Sequence, residues 1–113
     1  MGKHNRHHEI TGVLDLESLC GELQELCRRC RVKSLDLFGS AATGRFDPKR
    51  SDLDVLVEFQ DLEPAVYARA YFDLLEGLTE LFGYPIDLVT RAGLRNPHLR
   101  ARVDAERSRL YAA

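Results

Sequence analysis

Two aspartates in the segment Ser51-Asp52-Leu53-Asp54-Val55 have a spacing that suits metal chemistry. Along a β-strand the side chains alternate between faces, so Asp52 and Asp54 project from the same side with Cα atoms about 6.6 Å apart. Two carboxylates at that separation repel each other, and beside apolar neighbours they need a cation or a solvent-filled cleft. Mg²⁺ suits the pair because it prefers oxygen ligands and often shares its coordination shell between carboxylates and nucleotide phosphates.

The turn upstream of this pair has the composition of a phosphate-binding loop. Gly39 permits a backbone conformation that is closed to other residues, and it lets a phosphate approach the main chain. Ser40 provides a hydroxyl and an amide at the start of a short helical turn predicted over 40–43, whose free amides favour an anion. The two features together predict a site for a metal-bound triphosphate.

A third carboxylate, Asp87, lies in the apolar segment Ile86-Asp87-Leu88-Val89. An unpaired carboxylate inside such a strand is costly, which indicates a functional reason for its presence. If this strand pairs beside Asp52 and Asp54, the three carboxylates converge. Such a triad can hold two metal ions, and Asp87 could then accept the proton of an attacking hydroxyl.

Hydrophobic periodicity predicts the elements that position these residues. A helical stripe begins after Asp15, and a longer one lies between Pro64 and the helix-stopping Gly83. Strands are predicted over 32–38, 52–59 and 85–90. Asn96 and Pro97 form the start of a last helix, whose stripe is Leu99, Val103, Glu106 and Leu110. This order predicts an α/β (α+β) fold with a three-stranded mixed sheet covered by helices.

Length and charge narrow the class of protein. The 113 residues are 44% hydrophobic and carry a net charge of -2, which predicts one domain over 13–113 after a flexible tail over 1–12. The near-neutral balance argues against direct nucleic-acid binding. No apolar run approaches the roughly 20 residues that cross a bilayer, and no signal peptide is recognisable, so we predict a cytoplasmic protein without a membrane partner.

The histidines and cysteines have simple interpretations. His4, His7 and His8 lie in the predicted tail, where a metal site is less expected than an unstructured segment. The three cysteines are an odd number for a disulfide framework, so we expect reduced thiols. Cys27 and Cys30 lack further zinc ligands at the expected spacing and are predicted to be small core residues.

The combined motif resembles that of the DNA polymerase β-type nucleotidyltransferase superfamily. Gly39-Ser40, Gly44, Ser51-Asp52-x-Asp54 and the later Ile86-Asp87-Leu88-Val89 carry the resemblance. It extends over nearly the whole chain and is strongest to the minimal nucleotidyltransferases (MNT) encoded beside HEPN-domain proteins. The resemblance implies an αβαβαβα core and a nucleoside triphosphate donor.

The same resemblance implies roles for individual residues. Asp52, Asp54 and Asp87 are implied as the catalytic residues and as the ligands of two Mg²⁺ ions. The resemblance implies ATP as the nucleotide and implies that four residues bind it: Gly39, Ser40, Gly44 and Ser51. Family members often have an arginine where this chain has Thr43, and the loop before Ser51 instead contains Arg45, Lys49 and Arg50.

The sequence and its family resemblance allow three functions. The leading one is an antitoxin that transfers AMP from ATP to a HEPN-type ribonuclease partner, because so short a chain leaves little room to recognise an acceptor. Tyr67, Tyr71 and Phe72 are candidate anchors for that partner. The alternative is a catalytically weak or inactive subunit that neutralises its partner by binding. A transferase for small molecules would ordinarily need an added domain.

Asp36 lies mid-strand, either at a sheet edge or in the site.

Overall fold

The computed structural model describes residues 16–39, 42 and 52–113. The elements in chain order are helix α1 (Leu16–Arg29), strands β1 (Val32–Phe38) and β2 (Leu53–Phe59), helix α2 (Pro64–Phe82), strand β3 (Ile86–Thr90), a 3-10 turn (Arg91–Gly93), helix α3 (Pro97–Glu106) and strand β4 (Ser108–Ala112). The predicted α/β class is confirmed. The predicted tail over 1–12 and the candidate cap Asp15 lie outside the described residues.

The strands form one mixed sheet in the order β3-β2-β1-β4. β1 is antiparallel to both β2 and β4, whereas β2 and β3 are parallel. A parallel pair needs a crossover connection, and α2 supplies it. β1 and β2 are therefore the interior strands, and β3 and β4 form the edges.

The prediction of three strands, with a last helix that reaches Leu110, is wrong at the C-terminus. Helix α3 ends at Glu106, and Leu110 lies in the fourth strand. Only Val103 of α3 is buried, so a longer helix would gain little from burying the apolar stripe. Pairing with the open edge of β1 gives the last residues a backbone ladder, and tertiary context overrides helix propensity.

The main core lies on the face of the sheet that α1 and α2 cover. Leu35 and Leu37 of β1 and Val55 of β2 are buried there against Leu74 and Leu78 of α2. Proline in the first turn of α2 and the left-handed Gly83 at its end set the limits of this helix. Cys27 and Cys30 are also buried in this core, which confirms their packing role. None of the helices described is long and apolar enough to cross a membrane.

The opposite face of the sheet is covered only in part. Phe38 and Leu56 pack there against Leu94, which follows the 3-10 turn, and against Val103 of α3. Asp52 and Asp87 are exposed. The end of this face where β2 begins is therefore accessible to solvent, while the middle is packed.

Asp36 lies in the interior of the sheet, not at its edge, and is paired with an arginine. It is 1% exposed on the interior strand β1, and its carboxylate accepts a hydrogen bond of 2.6 Å from Nε of Arg109. Arg107 lies 3.9 Å from the other carboxylate oxygen. Both arginines belong to the C-terminal segment, so the buried aspartate holds β4 against β1.

Candidate active site

The register of the sheet brings two of the predicted catalytic aspartates to the same level. Asp54 of β2 lies opposite Phe38 of β1 on one side and opposite Asp87 of β3 on the other. Directly paired residues in neighbouring strands project from the same face. The Asp54 and Asp87 carboxyls are therefore neighbours on the partly covered face, although 33 positions separate them in the chain.

The surroundings of Asp54 raise the pKa of its carboxyl. Burial, the charge of Asp87, a hydrogen bond with the Asp87 side chain and the charge of Asp52 raise the pKa of Asp54 to about 6. A hydrogen bond between two carboxyl groups requires a proton on one of them. The structure thus brings all three predicted carboxylates within electrostatic reach, with Asp54 at the centre.

Gly39 brings the turn after β1 against the Asp54 carboxyl. Its φ is +69°, and a Cβ at this position would overlap Oδ2 of Asp54 and lie 3.3 Å from its Cγ. The amide of Ala42 donates to the carbonyl of Gly39 at 3.2 Å, which closes the turn. Glycine is needed here for two reasons, because both the left-handed backbone and the close approach exclude a side chain.

The rest of the predicted phosphate cradle cannot be placed. Ser40, Gly44 and Ser51 lie outside the described residues, as do Thr43 and the basic positions of the same loop. Their role in nucleotide binding remains a prediction. Of the nucleotide-binding residues named from the sequence, Gly39 alone is within the described part, next to Asp54.

The donor set fits a cation that takes only some of its ligands from protein. Among residues 16–39, 42 and 52–113, no three acidic, histidine or cysteine side chains converge to form a metal centre by themselves. Asp54 and Asp87 instead offer a pair of neighbouring carboxyls, which provides only oxygen ligands for a divalent cation. Mg²⁺ is typically held by one or two carboxylates together with substrate phosphates and water, so the residues present fit it.

One contact beside the site was not predicted from the sequence. The Tyr71 hydroxyl donates a hydrogen bond of 2.6 Å to the carbonyl of Leu88, the residue that follows Asp87. An aromatic residue at helical spacing indicates core or interface, and no local signal marks its hydroxyl. Of the three aromatic residues proposed as anchors, Tyr67 and Tyr71 are half-buried, and Phe72 is 65% exposed.

Comparisons with known proteins bear on this arrangement of carboxylates and glycine turn. The family model "Nucleotidyltransferase domain" matches residues 19–111. A Methanocaldococcus jannaschii protein named "Putative protein adenylyltransferase MJ1379" is 33% identical over 76 residues, which cover 67% of this chain and 74% of that protein.

Solved structures share the fold. One, described as a "putative minimal nucleotidyltransferase", superposes with a TM-score of 0.70 at 29% identity and covers 95% of this chain and 98% of its own. A chain from a complex of a tri-AMPylated Shewanella oneidensis HEPN toxin with an MNT antitoxin has a TM-score of 0.56 at 20% identity, covering 87% and 73%. The resemblance carried by the sequence motif is thus confirmed. With a family match over most of its length and a shared fold, the chain belongs to the nucleotidyltransferase domain family and is a nucleotidyltransferase.

Proposed function

We propose that this protein transfers AMP from ATP, with Mg²⁺, to a hydroxyl of a partner protein in the cytoplasm, and that the partner is a HEPN-type ribonuclease toxin. The observation that carries the proposal is the Asp54–Asp87 carboxyl pair beside the glycine turn. The name of the archaeal relative, a protein adenylyltransferase, supports the reaction class. The AMPylated toxin in the complex with the same fold supports the kind of acceptor.

The residues of the chain divide the work of the reaction. Asp52 and Asp54 would hold Mg²⁺ together with Asp87, and the backbone at Gly39 and Ser40 would bind the phosphates. The acceptor oxygen attacks the α-phosphorus of ATP, the bond to the bridging oxygen breaks, and pyrophosphate leaves. The proton of the acceptor hydroxyl passes to Asp87. Mg²⁺, when bound, supplies charge neutralisation at the phosphates and the leaving group.

The pKa of Asp54 is consistent with a site that is completed by its substrate. Without a cation, burial and then the neighbouring carboxyls of Asp87 and Asp52 raise the pKa of Asp54 to about 6, so the site disfavours accumulated negative charge. Asp54 and Asp87 would hold a magnesium–nucleotide complex that relieves this repulsion, and phosphate oxygens would supply the further ligands. The half-buried position of Asp54 strengthens both effects, because charges interact more strongly away from water.

The test uses α-³²P-labelled ATP, Mg²⁺ and the purified product of the neighbouring gene, which we propose to be the HEPN-type partner. We expect label on the partner with the wild type and none with Asp54→Asn. Asp61→Asn is the matched control, since Asp61 is an exposed aspartate at the other end of β2. The control should label the partner at the wild-type rate.

The other outcomes discriminate between the functions. A tight complex with no label on the partner would overturn the enzymatic proposal in favour of a subunit that neutralises by binding. Label transferred by a folded Asp54→Asn protein would overturn the assigned site. Label on a small-molecule hydroxyl, but not on the partner, would favour a different acceptor class.

A further inference from the structure

Asp87 lies on a strand that only one neighbour pairs with. β3 has five residues and forms the edge of the sheet, with β2 on its inner side. The amide of Leu53 donates to the carbonyl of Pro85 at 2.9 Å. Because residues of a parallel strand alternate in the direction of their backbone groups, those of Asp87 and Val89 point towards β2. The carbonyl of Leu88 therefore points away from the sheet.

Tyr71 contacts this outward carbonyl from helix α2. Its hydroxyl donates to the Leu88 oxygen at 2.6 Å, at the short end of the range for hydrogen bonds between oxygens. The ring lies edge-on to Phe72, with centroids 5.3 Å apart. Leu74 and Leu78 of the same helix are fully buried against the sheet, so the hydroxyl projects from a firmly packed element.

Asp87 is thus bracketed by two attachments on opposite sides of its strand. Pro85 is held by β2, two residues before it, and Leu88 is held by Tyr71, one residue after it. The Asp87 side chain is exposed, so packing does little to restrain it. The position of its carboxyl beside Asp54 then depends on where the backbone of β3 is held.

We propose that Tyr71 is a positioning residue for nucleotidyl transfer, whose hydroxyl holds β3 at Leu88 and so keeps the Asp87 carboxyl level with Asp54. This inference rests on the role proposed above for Asp87. Tyr71 does not contact the reacting atoms in this scheme. It acts through the backbone, and a displacement of the order of 1 Å at a catalytic group is enough to slow a reaction substantially.

Tyr71→Phe tests the proposal because it removes the hydroxyl and keeps the ring. Thr79→Val is the matched control on the same helix. Thr79 is exposed, and its hydroxyl donates a hydrogen bond of 2.8 Å to the carbonyl of Leu75 within α2, so this variant also removes a hydroxyl bonded to a backbone carbonyl but leaves β3 untouched. Both variants should fold, since Tyr71→Phe keeps the ring and Thr79→Val keeps the shape of the side chain.

Two measurements are made on each variant. Hydrogen–deuterium exchange without substrates reports on the inward amides of Asp87 and Val89. Steady-state labelling of the partner gives kcat and the KM for ATP. For Tyr71→Phe we expect at least about threefold faster exchange in β3 with unchanged β1, and a kcat about tenfold lower with KM for ATP within about twofold. Thr79→Val should match the wild type in both.

Unchanged β3 exchange in Tyr71→Phe would overturn the proposal, as would an equal fall in kcat for Thr79→Val. A raised KM for ATP with unchanged kcat would also overturn it, because that result places Tyr71 in nucleotide binding. A wild type that transfers nothing would overturn the proposed function, and the catalytic role of Tyr71 with it. The exchange data, collected without substrate, distinguish that case from a failure of the structural argument.

Discussion

At the scale of the residue, Asp54 lies between buried apolar neighbours along its strand and has two other carboxyls near its side chain. Its strand neighbours Leu53 and Val55 are fully buried, while its own carboxyl faces Asp87 and Asp52. The core fixes the backbone, so the carboxyl cannot move away from the other two acids. Burial of the charge and its repulsion by the other two acids therefore cost stability in the free protein, and a bound cation would offset that cost.

Asp54→Asn should therefore stabilise the free protein in a pH-dependent way. The folded-state pKa of about 6 lies above the ordinary 3.8, so the folded state binds the proton more tightly and the free energy of unfolding falls as pH rises from about 4 to 6. Above pH 6 the full cost is present, about 1 kcal/mol after allowance for solvent screening. Without Mg²⁺, we expect the Tm of Asp54→Asn to exceed the wild type by several degrees at pH 7.5.

Thermal unfolding followed by circular dichroism checks this expectation. The gain in Tm should shrink as the pH falls through about 6 and vanish by about pH 3, where Asp54 is protonated in both the folded and the unfolded wild type. Asp61→Asn should show no such pH dependence. An equal gain at both pH values would contradict the electrostatic explanation.

Gly39→Ala should strongly slow transfer while the fold persists. The added Cβ overlaps Oδ2 of Asp54, and a left-handed backbone costs a residue with a side chain about 1–2 kcal/mol. Gly83→Ala provides a close control, because Gly83 has a φ of +76° but open space around its Cβ. Both variants should lose a few degrees in Tm.

Activity separates the two glycines. We expect Gly39→Ala to transfer AMP at least about 100-fold more slowly, since the clash displaces the Asp54 carboxyl that we propose as catalytic, and Gly83→Ala to retain most of the activity. The measurement is the initial rate of partner labelling at equal folded concentration. Similar rates for both variants would mean that the Gly39 contact with Asp54 has no part in catalysis.

At the scale of the element, β4 depends on a buried charge. Asp36 is almost completely enclosed, and its carboxylate is compensated by Arg109 and, at a longer distance, by Arg107. A buried carboxylate without a partner is strongly destabilising. The C-terminal strand and the interior strand β1 are thus coupled through one side chain, in addition to their backbone ladder.

Arg109→Ala should lower the free energy of unfolding by about 2–3 kcal/mol, less than the full cost of an orphaned charge because Arg107 remains. Arg102→Ala is the control. Arg102 lies 3.9 Å from Glu106 on the surface of α3, where an exposed pair contributes at most about 0.5 kcal/mol. Urea unfolding measures both values. Equal losses for the two arginines would show that the Asp36 pair does not hold β4.

At the scale of the whole molecule, one face of the sheet forms the main core and the other carries the candidate site. One face is buried under α1 and α2, and the other is packed in its middle and open where Asp52 and Asp87 are exposed. The parallel crossover through α2 brings β3 beside β2, and the antiparallel hairpin brings Gly39 to the same end. Three distant parts of the chain therefore meet at the site without disturbing the core.

Joint binding of metal and nucleotide should stabilise this assembly. We expect Mg²⁺ and ATP together to raise the Tm more than the sum of their separate effects, because phosphate oxygens supply ligands that the carboxylates lack. A nucleotide at 100 times its Kd adds about 2.7 kcal/mol. Differential scanning fluorimetry measures the shift, and Asp54→Asn should lose most of it. Additive shifts, or an unchanged shift in the variant, would contradict a shared metal–nucleotide site.

Much of the fold and site could be predicted because the relevant signals are local. Alternation of apolar residues located the three site-bearing strands, and Pro64 and Gly83 marked the limits of α2 to within a residue. Asp54 and Asp87 were recognisable because carboxylates in apolar strands are costly. Confirmed membership of the nucleotidyltransferase family agrees with that interpretation.

What only the tertiary structure decided involves partners far apart in the chain. Asp36 and Arg109 are 73 positions apart, and Tyr71 and Leu88 are 17 apart, so no periodic pattern indicates either contact. β4 was predicted as helix because a local stripe carries no information about the free edge of β1. The sequence by itself was enough to place the acidic residues on two predicted strands and the glycine in the turn before them. Their register, which brings Asp54 level with Asp87 and raises its pKa, arises only when backbone ladders align the strands.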